Sequence, residues 1–526
     1  MKRIYITLGV LLLGMIAMAY LYFSNLNTET NANDLSLNAV ASNSSIVLSF
    51  ENDKSFYEIL SGQELFQHLL GESKVKTFKS LKENLLSQHE INTAIDGQKV
   101  YIGVLGGESD KVDYLISAQL KSGNEPQKLV SRLNSSKIKV NKIGEIYQLT
   151  FTDSTSCFVG IKDLLVVISN APKVVKNILK GQSLTDPNFA NYIKSNSRFN
   201  KNTLANLYIN FNKTPSLLKS ILNSNINGEL NIFNKQNSFA ALSYNFSKEN
   251  LLFNGNTDVN DLNSYYKLFT TVPEQKIIID NILPQKTANY TIYTINDYKN
   301  WFGNLTAWFE KQKNSENVNK NINSINQKYR LDLNQIFPKF FKNQFVTFQL
   351  SSGEKFGAVA LVNGEKVSQL LLDLSADYAP DIKIFKEANI AYSFFGEPFK
   401  KFERPFYTII DNYMVMANNA SSLQVFLSRY RNDELLIHDE NYTDFRDQLS
   451  SSATISFYVN NPNSNDIFGR NLKSPFYKQY QSKNGFKEFD AFCYQLSGDN
   501  GKFLSNLLLH KKTEKPIETD SLQTNP

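Results

Sequence analysis

Cysteine, histidine and tryptophan are scarce in this sequence of 526 residues, at two, four and two copies. So few thiols exclude a disulfide-stapled scaffold, and so few imidazoles remove most metal architectures. His68, His89, His438 and His510 stand far apart and none neighbours a cysteine, so no zinc-ligand spacing is present. The phosphate loops GxxxxGKS and GxxxxGKT are missing, as are a GxGxxG opening a helix after a strand, the GxSxG elbow and HExxH. His89-Glu90 runs into Ile91-Asn92 with no second histidine in place. Charge of one sign is also lacking. Fifty-six basic and fifty acidic side chains leave +6 over the whole chain, too dilute for a nucleic-acid footprint without clustering. No catalytic, cofactor-binding or metal-ligating residue is assigned, and the expectation is a protein that is not an enzyme and carries no cofactor.

What is present is apolar and aromatic. Hydrophobic residues make up 41% and aromatic residues 13%, the profile of a folded protein, and the length exceeds what one core supports. Twenty residues from Ile4 to Phe23 carry no charge, and at helical rise they span roughly 30 Å, one hydrocarbon core. Lys2 and Arg3 precede this run, and the next lysine is Lys54. The positive-inside rule therefore keeps residues 1–3 in the cytoplasm and exports the body. Residues 4–23 are expected to form an uncleaved transmembrane helix in the cytoplasmic (inner) membrane, with the body periplasmic. A cleavable signal peptide is the alternative, since Ala17-Met18-Ala19 has small-x-small form, but Tyr20 to Phe23 extend the apolar run past it. Residues 24–38, rich in Asn, Thr and Ser, read as a flexible linker, and residues 511–526 as a disordered tail. Cys157 and Cys493 sit in strand-like, apolar contexts and are expected to be buried small hydrophobes, with a disulfide as the alternative.

The body is self-similar at a spacing near 250 residues. Asn170-Ala171 matches Asn419-Ala420, Asp186 and Asn188 match Asp439 and Asn441, and Tyr208 and Asn210 match Tyr458 and Asn460. Phe239, Tyr244, Ser247 and Asn250 match Phe489, Tyr494, Ser497 and Asn500, with all offsets between 249 and 253. A period this long is a duplicated domain, not a solenoid. The expected fold class is α+β: after the membrane helix come two tandem homologous antiparallel repeats, residues 39–258 and 282–510, joined by a connector at 259–281.

Each repeat opens with a strand, SSIVLSF from Ser44 or ANYTIYT from Ala288, followed by Asn52-Asp53 or Asn296-Asp297 in position to cap a helix. Tyr298, Trp301, Phe302, Leu305, Trp308 and Phe309 fall on one helical stripe. Strand pairs follow at Lys99 with Tyr114 and at Gln344 with Phe356, then helices around Leu129 to Leu133 and Leu370 to Leu374. Further strands are expected at Tyr147 to Phe151, Leu164 to Ile168, Phe406 to Ile410 and Tyr413 to Ala417. In the last hairpins Leu242, Tyr244 and Phe246 alternate with Ala241, Ser243 and Asn245, which predicts one covered and one wetter sheet face.

Polar and aromatic groupings each have a structural explanation. Asp186 and Asp439, like Asn170 and Asn419, stand where helix caps belong. Trp301 and Trp308 have the shape of a sugar or lipid platform, but their helical spacing reads as core. Lys74, Lys76, Lys79 and Lys82 lie some fifty residues past the anchor, within reach of lipid headgroups, yet Glu72 and Glu83 among them describe a solvated face.

The anchor, the Asn-rich linker and two long copies, with ILPQKTANYTIYT from Ile282 opening the second, resemble envelope proteins of Bacteroidota that are known only as domains of unknown function. The resemblance covers nearly the whole chain and implies location, not activity. A non-catalytic binding or scaffolding module, engaging an envelope protein partner, is the leading expectation. Two alternatives are a carrier or sensor of an apolar ligand such as lipid, and a hydrolase whose site forms only in three dimensions.

Overall fold

The computed structural model describes residues 34–51, 76, 79–81, 83–84, 89–107, 111–121, 137–181, 187–197, 203–223, 237–246, 250–482 and 485–511. The apolar run 4–23, Asn52-Asp53, the helix expected around Leu129 to Leu133, Asp186 and residues 512–526 lie outside the described residues. Among the described residues no helix is long and apolar enough to cross a membrane.

Period-two alternation of bulky side chains builds most of the molecule. The strands of the first half are β1 (Ile46–Glu51), β2 (Lys99–Gly106), β3 (Val112–Gln119), β4 (Ile138–Ile143), β5 (Ile146–Phe151), β6 (Ser156–Lys162), β7 (Leu165–Ser169), β8 (Asn206–Asn210), β9 (Ser238–Phe246) and β10 (Asn250–Val259). A short strand β11 (Gln275–Lys276) pairs with β19 (Ser452–Ala453). The second half supplies β12 (Thr287–Thr294), β13 (Phe341–Leu350), β14 (Lys355–Leu361), β15 (Ser375–Ala379), β16 (Ile382–Phe385), β17 (Phe406–Ile410), β18 (Tyr413–Ala417), β20 (Ile455–Asn460), β21 (Phe489–Asp499) and β22 (Lys502–Lys511). Apart from β11 and β19, these form one 20-stranded sheet in which every ladder is antiparallel.

Strands β10 and β22 pair at the centre, with Asn254 opposite Asn506. Outward from β10 run β9, β8, β1, β2, β3, β7, β6, β5 and β4. Outward from β22 run β21, β20, β12, β13, β14, β18, β17, β16 and β15. Tyr208 and Tyr458 lie in β8 and β20, and Tyr244 and Tyr494 in β9 and β21, all four buried. The fold is thus a large antiparallel sheet with interspersed helices.

The expectation of one wetter face holds only in part: Asn245 is exposed and Ser243 half-buried, but Ala241 is buried. Leu242, Tyr244, Phe253, Tyr494 and Leu496 belong to a core cluster that spans both halves and takes in the helix Tyr298–Lys311. Ala241 and Phe239 face the other way, onto the helix Asn188–Ser197, where Phe189 stacks on Phe239 at 5.3 Å. Ala491 and Cys493 join a further cluster under the helices Ala420–Arg431 and Glu440–Arg446. Small residues on that face mark close approach of a helix, not exposure to water.

Two boundaries differ from composition. Residues 34–38 of the presumed linker are structured: Asp34 caps the helix Leu35–Ala41 by accepting from the Leu37 amide at 2.9 Å, and also accepts from the Tyr101 hydroxyl. Leu37 and Val40 are buried there, because three or four apolar side chains suffice once a sheet is present to receive them. Lys511, assigned to the tail, is the last residue of β22. The helix expected around Leu370 to Leu374 lies earlier, at Gly364–Leu370, capped by Asn363 through the Lys366 amide.

Cys157 and Cys493 are free and fully buried in separate clusters, so they do not pair. Burial pushes both thiols up to about 12 from an ordinary value of 9, and likewise pushes the Tyr407 and Tyr494 hydroxyls up to about 12 from 10. A group with a raised folded pKa contributes stability in full below its unfolded pKa and loses it as pH rises through the folded value. Stability is therefore expected to hold up to about pH 9 and to fall steeply between about pH 9 and 12. Tyrosinate absorbance near 295 nm should rise together with the loss of structure, and a thiol reagent at pH 8 should label neither cysteine until denaturant is added. Prompt labelling of native protein would contradict this burial.

Candidate functional site

A cleft of about 630 Å³ opens between three elements of the second half: the helices Tyr298–Lys311 and Ser315–Tyr329, and the segment from Asn389 to Lys400. Its first wall is the stripe read from sequence. Asp297 caps that helix by accepting from the Asn300 amide at 3.2 Å, and Tyr298, Trp301, Leu305, Trp308 and Phe309 are its buried face. Trp301 and Trp308, at 2% and 6% exposed, are core and not an open platform. Trp308 also lines the cleft, while its indole N–H donates to the Asn263 carbonyl at 2.8 Å.

The turn between the helices is a paired-hydrogen-bond stop. Lys313 N–H donates to Glu310 and Asn314 N–H to Phe309, at 2.9 and 3.0 Å, with Lys313 in the left-handed region at φ 55°. This is the Schellman arrangement, which favours glycine at that position. Lys313→Gly is expected to raise stability by about 0.5–1 kcal/mol, measured as a higher melting temperature. An unchanged or lower one would mean that the lysine side chain contributes contacts of its own.

The helix Ser315–Tyr329 forms the second wall and is strapped to the third. Tyr329 Oη and Lys328 Nζ both donate to Glu387 Oε1 at 2.6 Å, and Asn321 Nδ2 donates to the Ala388 carbonyl at 3.0 Å. The bond from Lys328, together with Tyr329, holds the Glu387 carboxyl below its ordinary range. Asn389, at φ 60°, then opens the helix Ile390–Phe395. Tyr392 and Ser393 bring that helix to the cleft, and Glu397 with Lys400 forms an ion pair at 3.5 Å on the rim.

Carboxamides dominate the lining: Gln312, Asn314, Asn317, Asn321 and Asn389. Asn317 Nδ2 donates to Asn314 Oδ1 at 3.1 Å, and Asn314 Nδ2 donates to Tyr392 Oη at 3.2 Å. The Asn389 side chain makes no helix-capping bond, and the Oδ1 atoms of Asn317 and Asn321 are not used in these contacts. The apolar members Trp308, Val318 and Tyr392 are each under a tenth exposed. Burial raises the Tyr392 hydroxyl, and Glu397 adds to it, so this phenol stays a neutral hydrogen-bonding group.

A second polar cluster is interior except for its arginine, whose side chain is 43% exposed. Asp280, 1% exposed, accepts at Oδ2 from Arg446 Nη1 at 3.0 Å and from Tyr442 Oη at 3.2 Å, and Tyr442 Oη meets Tyr290 Oη at 3.1 Å. It lies under the sheet face of the second half. None of Asp280, Arg446, Tyr442 and Tyr290 lines the cleft described above.

The other polar groups singled out from sequence are mostly structural. Asp439 caps the helix Glu440–Arg446, accepting from the Asn441 and Tyr442 amides at 2.9 and 3.3 Å. Asn170 and Asn419 do not cap through their side chains. Asn170 Oδ1 instead accepts from the Tyr114 amide and its Nδ2 donates to Asp113, tying the helix start to β3, and Asn419 occupies the cap position without a side-chain bond. Asn188 is the first residue of its helix. His510 pairs with Asp490 at 2.7 Å in the interior, and His438 lies on the surface near Asp433. Lys79 forms an exposed pair with Glu83, Lys76 is exposed, and Lys74, Lys82 and His68 lie outside the described residues. Among the described residues no cluster of His, Cys, Asp and Glu has the form of a metal site.

Sequence reasoning passed over the cleft. Asn317 and Asn321 sit four apart on a helix, a readable spacing, but Asn389 comes from a distant segment. No protein-family model, curated protein or solved structure matches the chain.

Proposed function

We propose that this chain is a single-pass envelope protein, anchored by residues 4–23 in the cytoplasmic membrane, whose exported body is a duplicated, non-catalytic binding module. The charge-free run behind Lys2 and Arg3 supports the anchor, and the likeness to envelope proteins of Bacteroidota agrees with it. The duplication draws support from the succession of strands, which is the same outward from β10 as from β22. Asn254 opposite Asn506 lies where a two-fold axis between the halves would pass.

The observation that carries the binding reading is the amide-lined cleft. Carboxamides bind without reacting: they neither titrate near neutrality nor attack a substrate. The one carboxylate on the lining, Glu397, is paired with Lys400, and the one hydroxyl of a serine there, Ser393, donates to the Asn389 carbonyl. That arrangement offers recognition and no nucleophile with an adjacent base. An apolar ligand draws no support from it, because the apolar lining atoms are already packed against the core.

Hydrogen exchange on the purified full chain in detergent, with and without soluble fractions of the envelope, tests the reading. Slower exchange at 313–321 and 389–400 is expected with at least one fraction. If no fraction protects these segments, the cleft is not a binding site. Protease digestion of spheroplasts tests the topology: the body should be cleaved from outside, and full protection would place it in the cytoplasm.

A further inference from the structure

We infer that the ligand of this cleft is a saccharide, a one- or two-residue stretch of a polyhydroxylated chain, with a carboxylated sugar preferred over a neutral one. The inference rests on the binding reading above and assigns its ligand class.

Hydroxyl groups donate and accept at the same atom, and a primary amide is the side chain that also does both within one rigid plane. Five such groups line one cleft: Gln312 and Asn314 in the turn between the helices, Asn317 and Asn321 on the second helix, and Asn389 on its own turn. The amide nitrogens of Gln312 and Asn321 already donate to the Asn263 and Ala388 carbonyls, and their oxygens are left to a ligand. Two of them, Asn314 and Asn317, are fixed by mutual hydrogen bonding, so little entropy is lost when a ligand orders the rest. A volume of about 630 Å³ falls within the range of small-ligand sites and is too small for a folded partner. A peptide would require side-chain pockets, whereas Val318, Trp308 and Tyr392 are closed over by their own packing.

Charge decides between neutral and acidic sugars. The lining holds two lysines, Lys313 and Lys400, and one glutamate, Glu397. Lys400 is already paired with Glu397 at 3.5 Å, which leaves the Lys313 ammonium as the uncompensated charge on the rim.

The test uses the full chain in detergent with three probes: digalacturonate, maltose and a tetrapeptide of alanine. Calorimetric titration and hydrogen exchange should both register digalacturonate, with protection at 313–321 and 389–400, maltose more weakly, and tetra-alanine not at all. Asn317→Ala and Asn389→Ala should each weaken both sugars by about tenfold, the usual loss for one ligand hydrogen bond. Lys313→Gly, which keeps the fold, should weaken digalacturonate by about two- to fivefold and leave maltose unchanged. If tetra-alanine protects the cleft and the sugars do not, the saccharide assignment is overturned while the binding reading stands. If envelope fractions also fail to protect it, both fall. Equal affinity for maltose and digalacturonate would remove the preference for an acidic sugar.

Discussion

Replacing Gly255 by valine is expected to destabilise the protein by about 3 kcal/mol or more, the upper range for forcing atoms into a packed interior. Gly255 lies in β10, between Leu242 of β9 and Ser505 of β22. A Cβ built there would stand 2.0 Å from the Ala241 carbonyl oxygen and 2.9 Å from both its carbonyl carbon and the Leu242 Cα. These are backbone atoms, so no side-chain rotation relieves the clash, and β9 must separate from β10. The location magnifies the effect. Strand β10 joins the two halves through its ladder with β22, and next to it Thr257 bonds Tyr494 and Ser505 at 2.5 and 2.8 Å. A displaced β10 loosens that buried network as well. Gly303→Ala serves as the control: Gly303 is inside the helix Tyr298–Lys311, exposed, with nothing within 4 Å of the added methyl. It should stabilise by roughly 0.5–1 kcal/mol through helix propensity. Thermal melts of the two variants should move in opposite directions. A Gly255→Ala variant melting with the wild type would show that β9 and β10 are farther apart than this register requires.

The contrast between these glycines indicates what was legible before the structure. Strands of the sheet interior were readable because they must satisfy two neighbours and one or two packed faces. KVYIGVLG, expected as a strand, is β2 from Lys99 to Gly106, and the stretch beginning at Phe239 lies within β9. The edges were not readable. Strand β4 contains Lys139, Asn141 and Lys142, and β15 contains Asp377 and an exposed Tyr378. Edge strands carry charge because one flank faces water and must discourage pairing with other chains, so their composition hides them. Ala241 misleads in the opposite sense, since its alternation with Leu242 and Tyr244 suggests a wetter face although it packs with Phe189 of the helix Asn188–Ser197. The cleft was half legible. Helical spacing of Asn317 and Asn321 is local information, whereas Asn389 meets them through long-range bonds, from Tyr329 and Lys328 to Glu387 and from Asn321 to Ala388. Asp280 gave no signal at all, because its partner Arg446 is 166 residues away.

That buried pair supports the other large effect. Arg446→Ala is expected to cost about 2–3 kcal/mol, below the roughly 3–5 kcal/mol for breaking a fully buried pair, because the Arg446 side chain is 43% exposed and part of its charge is already in water. The loss comes from what remains behind. Asp280 would keep its Oδ2 bond to Tyr442 but lose its cation, and its Oδ1 already has no hydrogen-bond partner. An isolated interior carboxylate pays for desolvation without an opposite charge to offset it. The reverse substitution separates this from simple loss of packing. With Asp280→Asn, the side chain keeps an acceptor for Tyr442 and removes the charge, so Arg446→Ala on that background should cost under about 1 kcal/mol. The difference between the two backgrounds is the coupling between the charges. Equal costs on both backgrounds, measured by thermal or urea unfolding, would mean that Arg446 acts through its aliphatic stem and its approach to the Tyr442 ring, at 6.0 Å, and not through the carboxylate. A coupled result would establish that the helix Glu440–Arg446 is held to the turn Ile279–Ile282 by charge, which links the start of the second half to the helix that covers its sheet.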